Sequence, residues 1–278
     1  TLFADELSRL ADNVIVEPNK AKVASRALEL LGWNCTSQVA WESGVLTPTG
    51  RVRPGIKIQD GCDNRCTYCI VWRARGASRS VAASEVVRQV QKEIEHGVQE
   101  VVLTGINLGR YKDTSEKSTI QLPELLKILL EDTSIGRIRL SSIEPQDITP
   151  ALLDCIATSE DRIAPFLHIP LQSGCEATLR RMGRACSAER YERVVMDAYE
   201  RIDGLALGCD LIVGFPQESD EEFEESISFC ERMRFSRMHV FRYSKRPGTI
   251  AASMSGQIDP KISAERARRA RELAVRLL

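Results

Sequence analysis

The sequence predicts an α/β fold, a partial (β/α)6 barrel of the TIM type. Three observations lead there. From Ile56 onward, short apolar runs alternate with amphipathic stretches of helical period, the pattern of βαβ units on a parallel sheet. Six apolar runs can be read, fewer than the eight strands of a closed barrel. Residues with chemistry to offer then recur just after those runs, where parallel β/α folds gather their active-site groups.

The expected strands are Ile56–Gln59, Glu100–Thr104, Arg137–Ser142, Phe166–Pro170, Ala206–Val213 and Arg237–Tyr243. Helices are expected near Ser84–His96, Leu122–Glu131, Pro150–Ala157, Ala188–Arg201 and Asp220–Met233. Val86, Val90 and Ile94 recur at helical spacing, as do Phe223, Ile227 and Cys230, so each helix has one face to bury. With only six strands, one side of the barrel is expected to stay open for a large substrate or a further domain.

Residues 1–50 differ from the rest. Helical stretches at Leu2–Leu10 and Lys20–Leu31 flank a short apolar run at Asn13–Val16, and Thr47-Pro48-Thr49-Gly50 with Pro54-Gly55 marks a linker. The expected organisation is therefore residues 1–50 as the tail of a domain cut upstream, and residues 51–278 as the barrel. A chain ending at Leu278 in mid-helix suggests truncation there too.

The bulk numbers exclude some classes. An apolar fraction of 43% and a charged fraction of 28% over 278 residues are ordinary for a globular protein. No apolar run reaches the roughly 18 residues of a membrane span, and no signal-peptide pattern opens the chain. Nine cysteines scattered through an α/β pattern do not form a disulfide framework, so a reducing cytoplasm is the expected location. The net charge of −1 gives no overall field for nucleic acid. Most basic residues are arginine, with Arg73, Arg75 and Arg79 close after the cysteine loop and Arg266, Arg268, Arg269, Arg271 and Arg276 on the last helix. Arginine suits phosphate and carboxylate recognition; a solvated helix face paired with Glu265 and Glu272 explains the last run equally well.

Cys62, Cys66 and Cys69 fall in one short loop, Cys-Asp-Asn-Arg-Cys-Thr-Tyr-Cys, directly after the first strand and Gly61. Three thiolates at this spacing can hold three corners of a [4Fe–4S] cube and leave one iron open to a non-protein ligand. Structural zinc wants four nitrogen or sulfur ligands, and no fourth cysteine or histidine lies near in sequence. Tyr68, just before Cys69, could cover a bound adenine or simply pack. His96 falls in a helix, whereas His168 and His239 fall inside strands as core or rim residues. Cys35, Cys155, Cys175, Cys186, Cys209 and Cys230 lack ligand spacing and read as small buried hydrophobes, with Cys175 and Cys186 nearest the rim.

These features together resemble the radical S-adenosylmethionine (SAM) enzymes, and within them the methylthiotransferases. The resemblance rests on Ile58 through Gly76, Val102 through Gly109, His168-Ile169-Pro170-Leu171-Gln172-Ser173-Gly174, Asp210 through Pro216 and His239 through Ser244. The text Leu140 through Pro145, and Arg246-Pro247-Gly248-Thr249, is most similar to the branch that modifies threonylcarbamoyladenosine at position 37 of tRNA.

The resemblance implies the following. Cys62, Cys66 and Cys69 ligate the cluster, and the amine and carboxylate of SAM close its fourth iron. An electron from the cluster breaks the C5′–S bond of SAM, giving a radical that takes hydrogen from the substrate. Tyr68, Gly105, Asn107, Ser142, Glu144, Gln172, Arg184, Ile212 and Gly214 are the expected SAM-contacting residues. Gly105 and Asn107 approach the methionyl amine, Ser142 and Glu144 the ribose, Gln172 and Arg184 the carboxylate, and Ile212 to Gly214 the adenine. Transfer of a methylthio group to C2 of the tRNA base is the expected activity, with an electron donor and a sulfur donor as further partners and no membrane. Related enzymes act on isopentenyladenosine 37 or on a ribosomal-protein aspartate. Full-length family members carry a second cluster on an N-terminal domain and a C-terminal RNA-gripping barrel, so this chain is expected to cleave SAM without completing methylthiolation. A different class, a non-catalytic RNA-binding module held by a structural metal, predicts a closed four-ligand zinc site and a basic patch.

Overall fold

A computed structural model of the chain describes residues 15–17, 22–30, 52–115 and 118–278. The expected helix Leu2–Leu10, the linker at 47–50 and Cys35 lie outside these residues. Of the expected run Asn13–Val16, Ile15 and Val16 are described and form no strand, while a helix occupies Val23–Leu30 within the expected Lys20–Leu31.

Six parallel strands build the wall: β1 (Gly55–Lys57), β2 (Glu100–Thr104), β3 (Arg137–Leu140), β4 (Phe166–His168), β5 (Ala206–Val213) and β6 (Arg237–Arg242). They run in the spatial order β1-β2-β3 and β4-β5-β6. The two halves meet where Ile138 donates to Arg162 O (2.8 Å) and accepts from Ala164 N–H (2.9 Å), with a parallel bridge between Ile138 and Ile163. The result is the expected open arc, ending on β1 at one side and β6 at the other.

Helices α1 (Ala83–Glu95), α2 (Leu122–Asp132), α3 (Pro150–Ala157), α4 (Ala188–Arg201), α5 (Asp220–Met233) and α6 (Pro260–Arg276) complete the repeats. Their starts are written locally. Gln121 and Glu124 form a reciprocal capping box at α2, as Ser219 and Glu222 do at α5. Thr149, Ser187 and Asp259 cap α3, α4 and α6 through their side chains, with Pro150 and Pro260 in the first turns. Each buries the face its periodicity marks: Val86 and Val90 on α1, and Phe223, Phe229 and Cys230 on α5, belong to one continuous core.

Alternation along the strands sorts side chains between helices and interior. On β5, Leu207, Cys209, Leu211 and Val213 are buried in that core, while Asp210 and Ile212 are only half-buried on the other face. The register pairs His239 with Asp210 and Phe241 with Ile212, so these residues share the concave inner face. A Cβ at Gly208 would meet His168 Nδ1 at 2.9 Å and Phe166 Cζ at 3.1 Å, which puts both of those rings on the same face.

Differences from the sequence reading have local causes. The first strand leaves the parallel ladder after Lys57, because Gln59–Asp60 pairs antiparallel with Arg79–Ser80. The expected ends of the third, fourth and sixth strands, Ser142, Pro170 and Tyr243, lie beyond the observed ladders and form the rim. A short helix at Glu176–Arg181 was not expected. The last helix runs to Arg276, with Leu277 still in right-handed helical geometry. Its arginines are not one solvated face: Arg268 pairs with Glu265 and Glu272 as expected, but Arg266 is buried and holds Glu218 and Asp220.

Candidate cluster and cofactor site

The cysteine loop springs from the end of the β1 segment and is fixed by its neighbours. Gly61, at φ +77°, turns the chain where a Cβ would lie 2.0 Å from Ala77 O, so only glycine fits. Cys62 N–H donates to Gly76 O (3.1 Å) and closes the loop. Thr67 is held from both sides: its N–H donates to Met182 O (2.9 Å), its hydroxyl to Arg181 O (2.9 Å), and its carbonyl accepts from Ala251 N–H (2.9 Å). Arg65 lies over the Trp72 ring, 3.9 Å from its centre.

Within this frame Cys66 is buried and Cys62 and Cys69 are half-buried. Burial pushes the Cys62 and Cys69 thiols above their ordinary range, so thiolate at these positions calls for a cation such as iron. Three thiolates on one zinc ion would stand about 3.8 Å apart, given Zn–S bonds of about 2.3 Å in tetrahedral geometry. Among the described residues, the only group of such ligands with donor atoms all within 4.8 Å is His168, Asp210 and His239, so the three cysteine sulfurs do not all stand that close together. A multi-iron cluster accommodates that spread.

Arg184 and Glu144 are brought together beside the loop. Arg184 donates Nη1 to Glu144 Oε1 (3.0 Å) and Nη2 to Glu144 Oε2 (2.5 Å), and also Nη2 to Pro170 O (3.0 Å). The same Nη1 reaches Cys66 Sγ at 3.7 Å. The two residues read from sequence as separate SAM contacts are thus partners of each other, and Arg184 is also a partner of Cys66.

Gln59 is a residue that the sequence reading did not single out. Fully enclosed, it donates to Asp60 O (3.0 Å), Gly61 O (2.9 Å) and Ser78 Oγ (3.0 Å) and accepts from Asn107 N–H (2.8 Å). Gly105 packs against it, where a Cβ would come within 2.8 Å of its Oε1. One signal was available: a glutamine closing an apolar strand directly before the glycine and cysteines.

A cleft of 470 Å³ opens beside Cys69, lined by Tyr68, Ile70, Val71, Ile212, Phe241, Tyr243 and Arg246 among others. Tyr68 packs edge-on to Phe215, and Phe215 to Tyr243, with centroids 6.4 and 5.4 Å apart. Tyr68 and Ile212 are therefore joined in one place. Gly214 instead lines a neighbouring cleft of 540 Å³ with Arg242, Lys245 and Arg271. Gly105, Asn107, Ser142 and Gln172 stand at the ends of β2, β3 and β4 and do not line either cleft. Gln172 holds a left-handed backbone (φ +73°), with its N–H on Asp210 O and its carbonyl taking Ile212 N–H. Such strain in a non-glycine residue costs on the order of 1–3 kcal/mol and is common at functional sites.

The orphaned polar atoms fit a bound cofactor. Asn107 is 3% exposed, yet neither its amide oxygen nor its nitrogen has a partner; Ser141 Oγ and Tyr243 Oη are likewise buried and unpaired. All three stand at C-terminal strand ends. Buried polar groups normally find partners, and the amine, carboxylate and ribose hydroxyls of a nucleoside-bearing amino acid would supply them.

Residues 56–230 match the radical SAM superfamily. The chain belongs to that superfamily. Its cofactors are accordingly a [4Fe–4S] cluster and SAM, and the three cysteines and the orphaned rim atoms suit them. Among radical SAM relatives, the threonylcarbamoyladenosine tRNA methylthiotransferase MtaB of Bacillus subtilis is 42% identical over 222 residues, covering 80% of this chain and 49% of the relative. The tRNA-2-methylthio-N(6)-dimethylallyladenosine synthase of Orientia tsutsugamushi (strain Ikeda) is 39% identical over 213 residues, covering 76% and 47%. The chain thus spans about half the length of these curated relatives. Among solved structures, the radical SAM methyltransferase TsrM from Kitasatospora setae aligns with a TM-score of 0.59 at 17% identity, covering 72% of this chain and 38% of that one. Coproporphyrinogen III oxidase HemN from Escherichia coli aligns at 0.57 and 17%, covering 81% and 52%. At these identities the likeness is one of fold, and it agrees with the partial barrel. No helix among the described residues is long and apolar enough to cross a membrane.

Proposed function

We propose that residues 51–278 are the radical SAM core of a tRNA methylthiotransferase, with residues 1–50 belonging to the domain before it. The observation that carries this reading is the identity of 42% with a threonylcarbamoyladenosine methylthiotransferase across 80% of the chain, joined to a three-cysteine loop suited to an open-cornered cluster. The proposed reaction places a methylthio group on C2 of threonylcarbamoyladenosine 37 of tRNA. Identity of 39% with a dimethylallyladenosine enzyme favours, as second reading, the same reaction on that base.

Cluster and SAM together supply a hydrogen-abstracting radical; aim and the exclusion of water fall to the chain. Cys62, Cys66 and Cys69 would hold three irons, and Arg184 would donate a hydrogen bond to the Cys66 sulfur. Asn107, Gly105 and Gln172 would meet the methionyl end, Ser142 the ribose, and Tyr68 and Ile212 would enclose the adenine. Arg184 and Glu144 serve this site as a buried pair. The open side of the arc would admit the anticodon loop. A sulfur donor, an electron donor and a second cluster complete the proposed enzyme.

Mass spectrometry of tRNA nucleosides from cells lacking the gene tests the reading. Loss of the thiomethylated threonylcarbamoyladenosine is expected. Loss of the thiomethylated dimethylallyl nucleoside instead would support the second reading, and no change in either would overturn both. Metal analysis addresses the RNA-binding module: one zinc per chain in place of iron would favour it.

A further inference from the structure

The concave face of β4 to β6 carries a polar cluster that the cofactor site does not use. His168 Nε2 and His239 Nδ1 approach the same oxygen, Asp210 Oδ1, at 3.2 and 3.3 Å. The two rings lie 5.3 Å apart and tilted by 32°. Around them the inner face carries Phe166, Gly208, Ile212 and Phe241, with Arg237 beside Gly208 at the start of β6.

Its place follows from the register. Ile212 and Phe241 line the cleft beside Cys69, and Asp210 and His239 precede them by two residues on the same face. Two residues of strand advance about 6.7 Å. The cluster therefore lies one strand repeat deeper on the concave face than the Ile212 and Phe241 wall of the cleft that also holds Tyr68 and Cys69.

The three residues are unequally accessible. His168 is the most enclosed at 10% side-chain exposure, and its second nitrogen lies against Gly208. Asp210 at 23% and His239 at 42% remain open to the cleft. Among the described residues, the second ring nitrogen of His239 and the second oxygen of Asp210 meet no hydrogen-bonding partner. A substrate would thus find one strong acceptor and one imidazole nitrogen below a cleft whose inner wall is Ile212 and Phe241 and whose rim carries Arg242, Ser244 and Arg246.

A hydrocarbon group pushed against these two groups would strip water from both and pair neither. A group carrying N–H, O–H and carbonyl or carboxylate functions would pair both. A site built to hydrogen-bond a substrate can reject an analogue lacking those groups by roughly ten-thousandfold, far more than an apolar pocket achieves by shape. We propose that His239 and Asp210, steadied by His168, select a polar, hydrogen-bonding substituent on the target adenosine over a hydrocarbon one. This inference rests on the reading of the chain as a tRNA methylthiotransferase core. It assigns the choice between the two substituents, threonylcarbamoyl and dimethylallyl, to named residues.

The experiment uses the full-length protein with its clusters reconstituted anaerobically, as wild type, H239F and H239N. Each is given tRNA bearing threonylcarbamoyladenosine or dimethylallyladenosine, and kcat/KM for thiomethylated nucleoside is read by mass spectrometry, with iron and zinc measured on the same samples. Wild type is expected to prefer the threonylcarbamoyl substrate. H239F should shrink that preference at least tenfold, and H239N, which keeps a hydrogen-bonding amide, should shrink it less. His239 is half-exposed, so neither change threatens the fold. A preference unmoved by H239F overturns the inference alone; a wild type that prefers the dimethylallyl substrate overturns it and moves the functional reading to its second form. One zinc per wild-type chain that H239F releases also overturns the inference alone, and would make the trio a metal site. A wild type with its clusters intact but inactive on both tRNAs overturns the functional reading and this inference with it.

Discussion

Arg184 clamps Glu144 with two parallel hydrogen bonds while the same guanidinium reaches the sulfur of Cys66. Its side chain is 4% exposed. Removing one member of a buried ion pair strands the other charge, at about 3–5 kcal/mol. Glu144→Gln should therefore lower the denaturant midpoint markedly. Arg184→Lys keeps the charge but loses the fork and the reach to sulfur. Hydrogen bonds to cluster sulfurs help set reduction potential, so this variant should shift the potential read by EPR-monitored titration. An unchanged potential would mean that the contact with Cys66 is incidental.

Asn107 gives the opposite pattern. Its side-chain amide is buried without a partner, a state that costs about 1–3 kcal/mol. Asn107→Ala should leave the unfolding midpoint unchanged or raised, yet weaken SAM binding at least tenfold, about 1.4 kcal/mol. Calorimetry or equilibrium dialysis on the reconstituted protein reads the affinity. A loss of stability with SAM affinity intact would return Asn107 to a structural role.

Gly61 should tolerate no side chain. Its positive φ disfavours any L-residue, and the added Cβ would collide with Ala77 O. Gly61→Ala is expected to abolish iron retention on reconstitution, while far-UV circular dichroism stays near that of the wild type, because the core strands lie elsewhere. Full iron content in this variant would refute the close approach of these two backbone segments.

Glu222 links α5 to the chain near the cysteine loop through Arg181, whose Nη1 donates to Oε1 at 2.9 Å. Hydrogen bonding from Arg181, opposed by burial, holds its carboxyl below the ordinary range. A depressed carboxylate contributes stability that is fully present above the unfolded value near 4.5 and is lost as pH falls through the folded one. Unfolding midpoints taken from pH 6 down to about 3 should fall less steeply in Glu222→Gln than in wild type.

Legibility from sequence followed distance along the chain. The cysteine trio stood out because all three lie within one loop, and Ala206–Val213 was read to the residue because its apolar positions leave little freedom. The capped helices α3, α4 and α5 were also placed correctly, since Thr149, Ser187 and Ser219 sit directly before the apolar periodicity. What escaped depends on register or on long-range pairing. Glu144 and Arg184 are 40 residues apart, and only the folded rim brings them together. His168, Asp210 and His239 sit on three strands whose relative offset no local pattern states. The first strand ended early because Gln59–Asp60 pairs with Arg79–Ser80, a partner that no local pattern announces.

The three polar groups of Thr67 reach Met182, Arg181 and Ala251, so the metal cradle is finished by chain that leaves the ribosome long after the cysteines themselves. Chain that has not yet reached Ala251 has the sulfurs but not all three of these bonds. The loop that carries the three sulfurs is thereby locked only when the sixth repeat has closed over it, by residues far downstream rather than beside the cysteines.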